Sequence, residues 1–139
     1  NREVRIAAAQ GLATIGTGGA ETVRALVTDR DPLVRAAALA AFADIGAGEP
    51  DIAACAAALR DTAWQVRVGA AKGLAGAEPG PAVTELAAAL TDPHLDVRKA
   101  AVLALASWPD HEPARRLLHR AVDDPDADVR AYARRAVAN

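Results

Sequence analysis

Apolar positions along this chain fall in the same order around each of five Val-Arg dipeptides: Val4-Arg5, Val34-Arg35, Val66-Arg67, Val97-Arg98 and Val129-Arg130. Three residues after the arginine stands alanine, as Ala8, Ala38, Ala70, Ala101 and Ala133. Six after it the residue is small, as Gly11, Ala41, Gly73, Ala104 and Ala136. Seven after it comes a larger apolar side chain, as Leu12, Phe42, Leu74, Leu105 and Val137. Steps of three and four place these residues on one face of a helix. The strict alternation of a strand is absent.

The arginines stand 30, 32, 31 and 32 residues apart, so the helix belongs to a repeat that runs the length of the chain. Proline follows an acidic residue at Asp31-Pro32, Asp92-Pro93 and Asp124-Pro125, and the third unit has Asp61-Thr62. Asp is expected to cap the helix that follows, and Pro to take its first position, where no N–H is needed. The helices then stop near Gly16, Gly46, Gly76 and Trp108-Pro109. A second, shorter helix is expected at roughly 20–28, 50–60, 80–90 and 112–122. The units are therefore helical hairpins, approximately 1–29, 30–60, 61–90, 91–122 and 123–139, in a single domain. One hairpin cannot bury its own apolar face, so neighbours must stack. Gly69 and Gly73 lie inside the first helix of the third unit. Each costs about 1 kcal/mol relative to Ala, which marks that helix as the expected weak joint. Arg134, Arg135 and Asn139 would give the last helix a polar outer face.

This pattern resembles the HEAT-like repeats, especially the short class named after phycobilisome lyases. The resemblance rests on Asp31-Pro32-Leu33-Val34-Arg35-Ala36-Ala37-Ala38-Leu39 through Ile45-Gly46 and extends over essentially the whole chain. It implies an all-α, right-handed α-solenoid of about five stacked hairpins. It further implies that Asp31, Asp61, Asp92 and Asp124, with Arg35, Arg67, Arg98 and Arg130, form a ladder of polar contacts between repeats. Ligands of that family lie on the concave face made by the second (B) helices.

Composition narrows the function. The chain of 139 residues is 52% hydrophobic and only 3% aromatic, so its core is built of small side chains. The net charge of −2 lacks the basic footprint of a nucleic-acid binder. No apolar run reaches the roughly 18 residues that cross a bilayer, and Asn1-Arg2-Glu3-Val4-Arg5 does not open a signal peptide. A single cysteine, Cys55, fits a reducing, cytoplasmic compartment. The absence of Met points to a piece of a longer protein, and the alanine- and arginine-rich usage to a bacterial source.

Residues for chemistry are scarce. Ser107 and Cys55 are the sole serine and cysteine, and neither has the neighbours of a nucleophile. His94, His111 and His119 make no two-His helical pair, so neither a metal nor a cofactor is expected. The run Asp123 to Asp128 lacks the glycine and terminal Glu of a calcium loop. Gly16-Thr17-Gly18-Gly19 lacks the Lys-Ser/Thr of a phosphate loop and reads as a turn.

What remains is a surface. Arg116, His119 and Arg120 share the outer face of a B helix, and Arg24 and Glu85 occupy comparable positions earlier in the stack. Arginine pairs well with carboxylates. Trp64 is a candidate contact anchor, whereas Trp108 aligns with Ile15 and Ile45 and is expected in the core. The sequence thus reads as a monomeric, non-catalytic scaffold for a protein partner on the concave B-helix face. The alternatives are a regulatory or assembly domain of a larger enzyme, or a HEAT-like lyase or DNA-repair protein.

Overall fold

The computed structural model describes the backbone at residues 1–14 and 19–138, and the side chains there except at 12–14. The expectations for Ile15, the glycine-rich turn from Gly16 and Asn139 lie outside the described residues. The described chain is helical throughout: α1 (Arg2–Thr14), α2 (Ala20–Leu26), α3 (Pro32–Ile45), α4 (Glu49–Ala58), α5 (Trp64–Leu74), α6 (Pro79–Ala89), α7 (Leu95–Ala106), α8 (Glu112–Ala121) and α9 (Ala127–Ala138). Odd-numbered helices stack in one layer, A, and α2, α4, α6 and α8 form the second, B. It is an all-α helical repeat fold.

The periodic stripe becomes the filling between the layers. Val34, Val66, Val97 and Val129 are fully buried, as are Phe42, Leu74 and Leu105 at the position seven after the arginine. Leu86 and Leu118 enter the same core from the B helices. Val4, the first residue of this series, is by contrast 64% exposed. At the other end, Arg134 is exposed where Ala9, Leu39, Ala71 and Val102 are buried, so the last helix turns a charged side chain outward.

The linkers differ from the sequence expectation in one respect. Asp31 does cap α3, its carboxylate accepting the Leu33 N–H at 2.9 Å, with Pro32 as first helical residue. At Asp92-Pro93 and Asp124-Pro125 the helix starts two residues later. His94 Nδ1 accepts the Asp96 N–H at 3.1 Å, and Asp126 Oδ2 accepts the Val129 N–H at 3.1 Å. In the third unit Ala63 holds the cap position without a side-chain bond. The aspartates two residues upstream make Asx turns instead. Asp29, Asp61, Asp92 and Asp124 each accept the N–H of the second residue after them at 2.9 Å.

The third repeat is the tightest joint rather than a weak one. A Cβ at Gly69 would strike the Ala36 carbonyl, one at Gly73 the Leu39 carbonyl, and one at Gly76 the Phe42 carbonyl. The missing side chains let α5 lie directly on the backbone of α3. The turns are tied as well: the Ala47 N–H donates to the Gly76 carbonyl at 3.0 Å. Gly46, which ends α3, has φ +89°, the region glycine adopts without strain.

Candidate functional site

A four-step polar ladder runs along the linkers. In each of four repeats the Nη1 of the arginine donates to the carbonyl of the aspartate six residues before it, at 2.9 Å: Arg35 to Asp29, Arg67 to Asp61, Arg98 to Asp92 and Arg130 to Asp124. The other edge of the guanidinium reaches the carboxylate of the next repeat. Arg5 meets Asp29 at 2.9 Å, Arg35 meets Asp61 at 3.2 Å, Arg67 meets Asp92 at 2.8 Å and Arg98 meets Asp124 at 3.0 Å. Each rung therefore binds a turn to its own helix and to the repeat before it. Asp31 has no place in this ladder. It stands four residues before Arg35 rather than six, caps α3, and pairs with Arg2 at 2.6 Å. Asp29 takes the rung. Both carboxyls are held below the usual carboxylate range, Asp31 chiefly by the Arg2 hydrogen bond and Asp29 chiefly by the Asp31 N–H.

Arg24 is not an open contact. It forks onto Asp51 of the next B helix, Nε at 2.8 Å and Nη2 at 3.0 Å. Asp51 is 2% exposed and also accepts the Gly48 N–H at 3.0 Å, which closes the start of α4. Arg24 depresses the Asp51 carboxyl by its hydrogen bonds, against the desolvation that would raise it. Sequence reading did not single out Asp51, because its partner lies 27 residues away on another B helix.

Arg116, His119 and Arg120 lie together on the exposed side of α8, with Leu118 and Ala121 buried beneath them. Beside them a cleft of about 240 Å³ opens between α6 and α8, lined by Ala87, Leu90, Leu117, Arg120 and Asp123. Glu85 is half-buried on α6. Trp64 belongs elsewhere. It is the first residue of α5, in the A layer, 37% exposed, and its ring stacks on His94 at 4.0 Å and 11°. The structure thus brings Arg116, His119 and Arg120 together on α8 and leaves Trp64 on the other layer. Trp108 packs against the core.

Ser107 follows α7 and donates its hydroxyl to the Ala104 carbonyl at 2.6 Å. Cys55 is fully buried, and burial with the nearby Asp51 charge pushes its thiol up to about 12. Among the described residues no three His, Cys, Asp or Glu side chains converge as metal ligands, and no helix is long and apolar enough to cross a membrane.

Stacked helical hairpins joined by an Arg–Asp ladder define the class of helical-repeat proteins. A family model for HEAT repeats matches residues 52–138, more than half of the chain, and the chain belongs to that family. Among solved structures it is similar to the complex of CpcE and CpcF of phycocyanin lyase from Nostoc sp., with TM-score 0.79 and 22% identity over 92% of this chain and 85% of that one. Human deoxyhypusine hydroxylase is also similar, with TM-score 0.68 and 27% identity over 86% of this chain. The chain spans only 42% of that hydroxylase. An engineered protein matches with TM-score 0.65 and 24% identity over 87% of this chain and 62% of that one. No curated protein sequence matches the chain.

Proposed function

We propose that this chain is a non-catalytic interaction module that docks a protein partner on its B-helix face, at α8. The observation that carries the reading is the placement of Arg116 and Arg120, exposed beside a cleft whose apolar wall is Leu90 and Leu117. An apolar side chain of the partner enters the cleft and its carboxylates meet the arginines. Repeats of this family suit the task, since stacking makes an extended surface from short elements. The net charge of −2 favours protein over nucleic acid as the partner. The module acts as a monomer.

The test is affinity capture from a lysate with the immobilised chain, run beside its Arg116→Glu/Arg120→Glu form. A partner retained by the first and lost by the second is the expected result. A partner held equally by both, or turnover of a defined substrate by the chain alone, rejects the reading.

A second reading makes the repeats a regulatory or assembly domain of a larger enzyme. The likeness to less than half of the human hydroxylase favours it. The full reading frame decides it: a catalytic domain in the same frame supports this role, and a frame of repeats alone does not.

A further inference from the structure

Beyond the α8 surface, the A layer carries a groove of its own. A cleft of about 320 Å³ lies between α5 and α7, lined by Trp64, Val68, Lys72, Asp96, Lys99 and Leu103. A second cleft of about 320 Å³ shares Lys72 and Leu103 with it and continues over α3, floored by Ala40, Ala43 and Ala75. Leu103 is 46% exposed between the two. Leu103 and Trp64 are large apolar side chains left facing water on adjacent helices, which is what a contact surface looks like before it is covered.

The groove is held ready. Trp64 is fixed by its stack on His94, and His94 is fixed in turn by capping α7 through Nδ1. An anchor already locked in place loses little entropy on binding. The floor is alanine, so a helix can approach it closely.

The charges choose the partner. The chain has only two lysines, Lys72 and Lys99, and both border this groove. Lys99 lies 5.0 Å over the Tyr132 ring and Arg135 lies 5.6 Å from the same ring, which extends the cationic line to α9. Of the two carboxylates nearby, Asp96 sits in the first turn of α7, where the helix dipole accommodates it, 3.9 Å from His94. Asp44, on α3, borders the far cleft and not the one that holds Trp64.

We infer that this A-layer groove docks an amphipathic helix of a partner protein, its apolar stripe on Trp64 and Leu103 and its carboxylates on Lys72 and Lys99. This is helix-in-groove recognition, the anchors lying along one face of the partner helix. The site is separate from the α8 surface, and it stands or falls without it.

The experiment selects binders from displayed random peptides on the wild-type chain. Winners are then synthesised with a fluorescent label and titrated by anisotropy. The expected winners carry Leu or Phe at helical spacing with Asp or Glu beside them. Their affinity falls about tenfold or more with Leu103→Asp, and likewise with Lys72→Glu/Lys99→Glu. Arg116→Glu/Arg120→Glu leaves it unchanged, which separates this site from the one proposed on α8. The substituted residues lie at the surface, and circular dichroism checks that helix content is kept. Basic or uncharged winners, affinity that ignores both groove variants, affinity lost only with the α8 variant, or no winners at all would overturn the inference.

Discussion

Arg67 holds two repeats at once: its Nε lies 2.8 Å from Asp92 of the following linker while its Nη1 lies 2.9 Å from the Asp61 carbonyl of its own. Both side chains are largely buried, at 16% and 10% exposure. Loss of the guanidinium leaves a carboxylate and a carbonyl without their charged donor. Arg67→Ala is therefore expected to destabilise the fold by about 2 kcal/mol, in the range of hydrogen bonds to charged groups. Arg67→Lys recovers little of this, because an ammonium cannot serve both edges of the fork. Urea unfolding followed by circular dichroism reads the loss, and equal stability of Arg67→Ala and the parent would refute the role of the rung.

The α3–α5 joint makes a prediction opposite in sign to helix propensity. Gly73→Ala would gain up to about 1 kcal/mol in an isolated helix. In this stack the new methyl meets the Leu39 carbonyl, and the Cys55 Sγ lies 3.3 Å away. Overpacking against backbone is expected to dominate, with a net loss of about 1–3 kcal/mol. Gly80→Ala on α6 has nothing within 4 Å and is the control, neutral or slightly stabilising. A Gly73→Ala protein more stable than its parent would show that the two helices have room to part.

How much of this was legible in the sequence depends on the range of the interaction. The A helices follow from local spacing, since Val34 and Phe42 are buried where a helical stripe puts them. The register of the ladder is harder. Asp31-Pro32 carries the stronger capping signal and draws attention from Asp29, which is followed by Arg30. The constant step of six from aspartate to arginine, as in Asp61 to Arg67 and Asp92 to Arg98, marks the rung residues and excludes Asp31. Gly69 and Gly73 read as weakness in one helix because their purpose lies in another. The pair of Arg24 and Asp51, and the distance of Trp64 from the α8 arginines, are tertiary facts with no repeat signature.

Cys55 tests the burial of the B layer. A thiol pushed up to about 12 is protonated at neutral pH, and the thiolate is the reactive form. A disulfide reagent is expected to label the native protein only through opening of the fold. The labelling rate should rise with urea in step with the unfolded fraction. Complete labelling of the native chain within seconds at pH 7 would contradict this placement.

The ion pair of Arg24 and Asp51 sets a pH dependence with a definite sign. Asp51 is depressed in the folded state, chiefly by its hydrogen bonds from Arg24. In the unfolded chain it returns to the ordinary value, about 3.9. A carboxyl depressed by folding contributes stability that is complete above that unfolded value. The contribution is lost as pH falls through the lower folded value, where both states bind the proton. Asp51→Asn removes this group, and it is expected to cost stability at pH 7 and to lie closer to the parent as pH is lowered from about 5 towards 2. Asp29 and Asp31 are also depressed, so acid still weakens the variant. The readout is thus the difference between the two proteins in urea midpoints at matched pH. A difference that stays constant over this range would mean that the Asp51 charge adds nothing beyond its shape and its bond to Gly48.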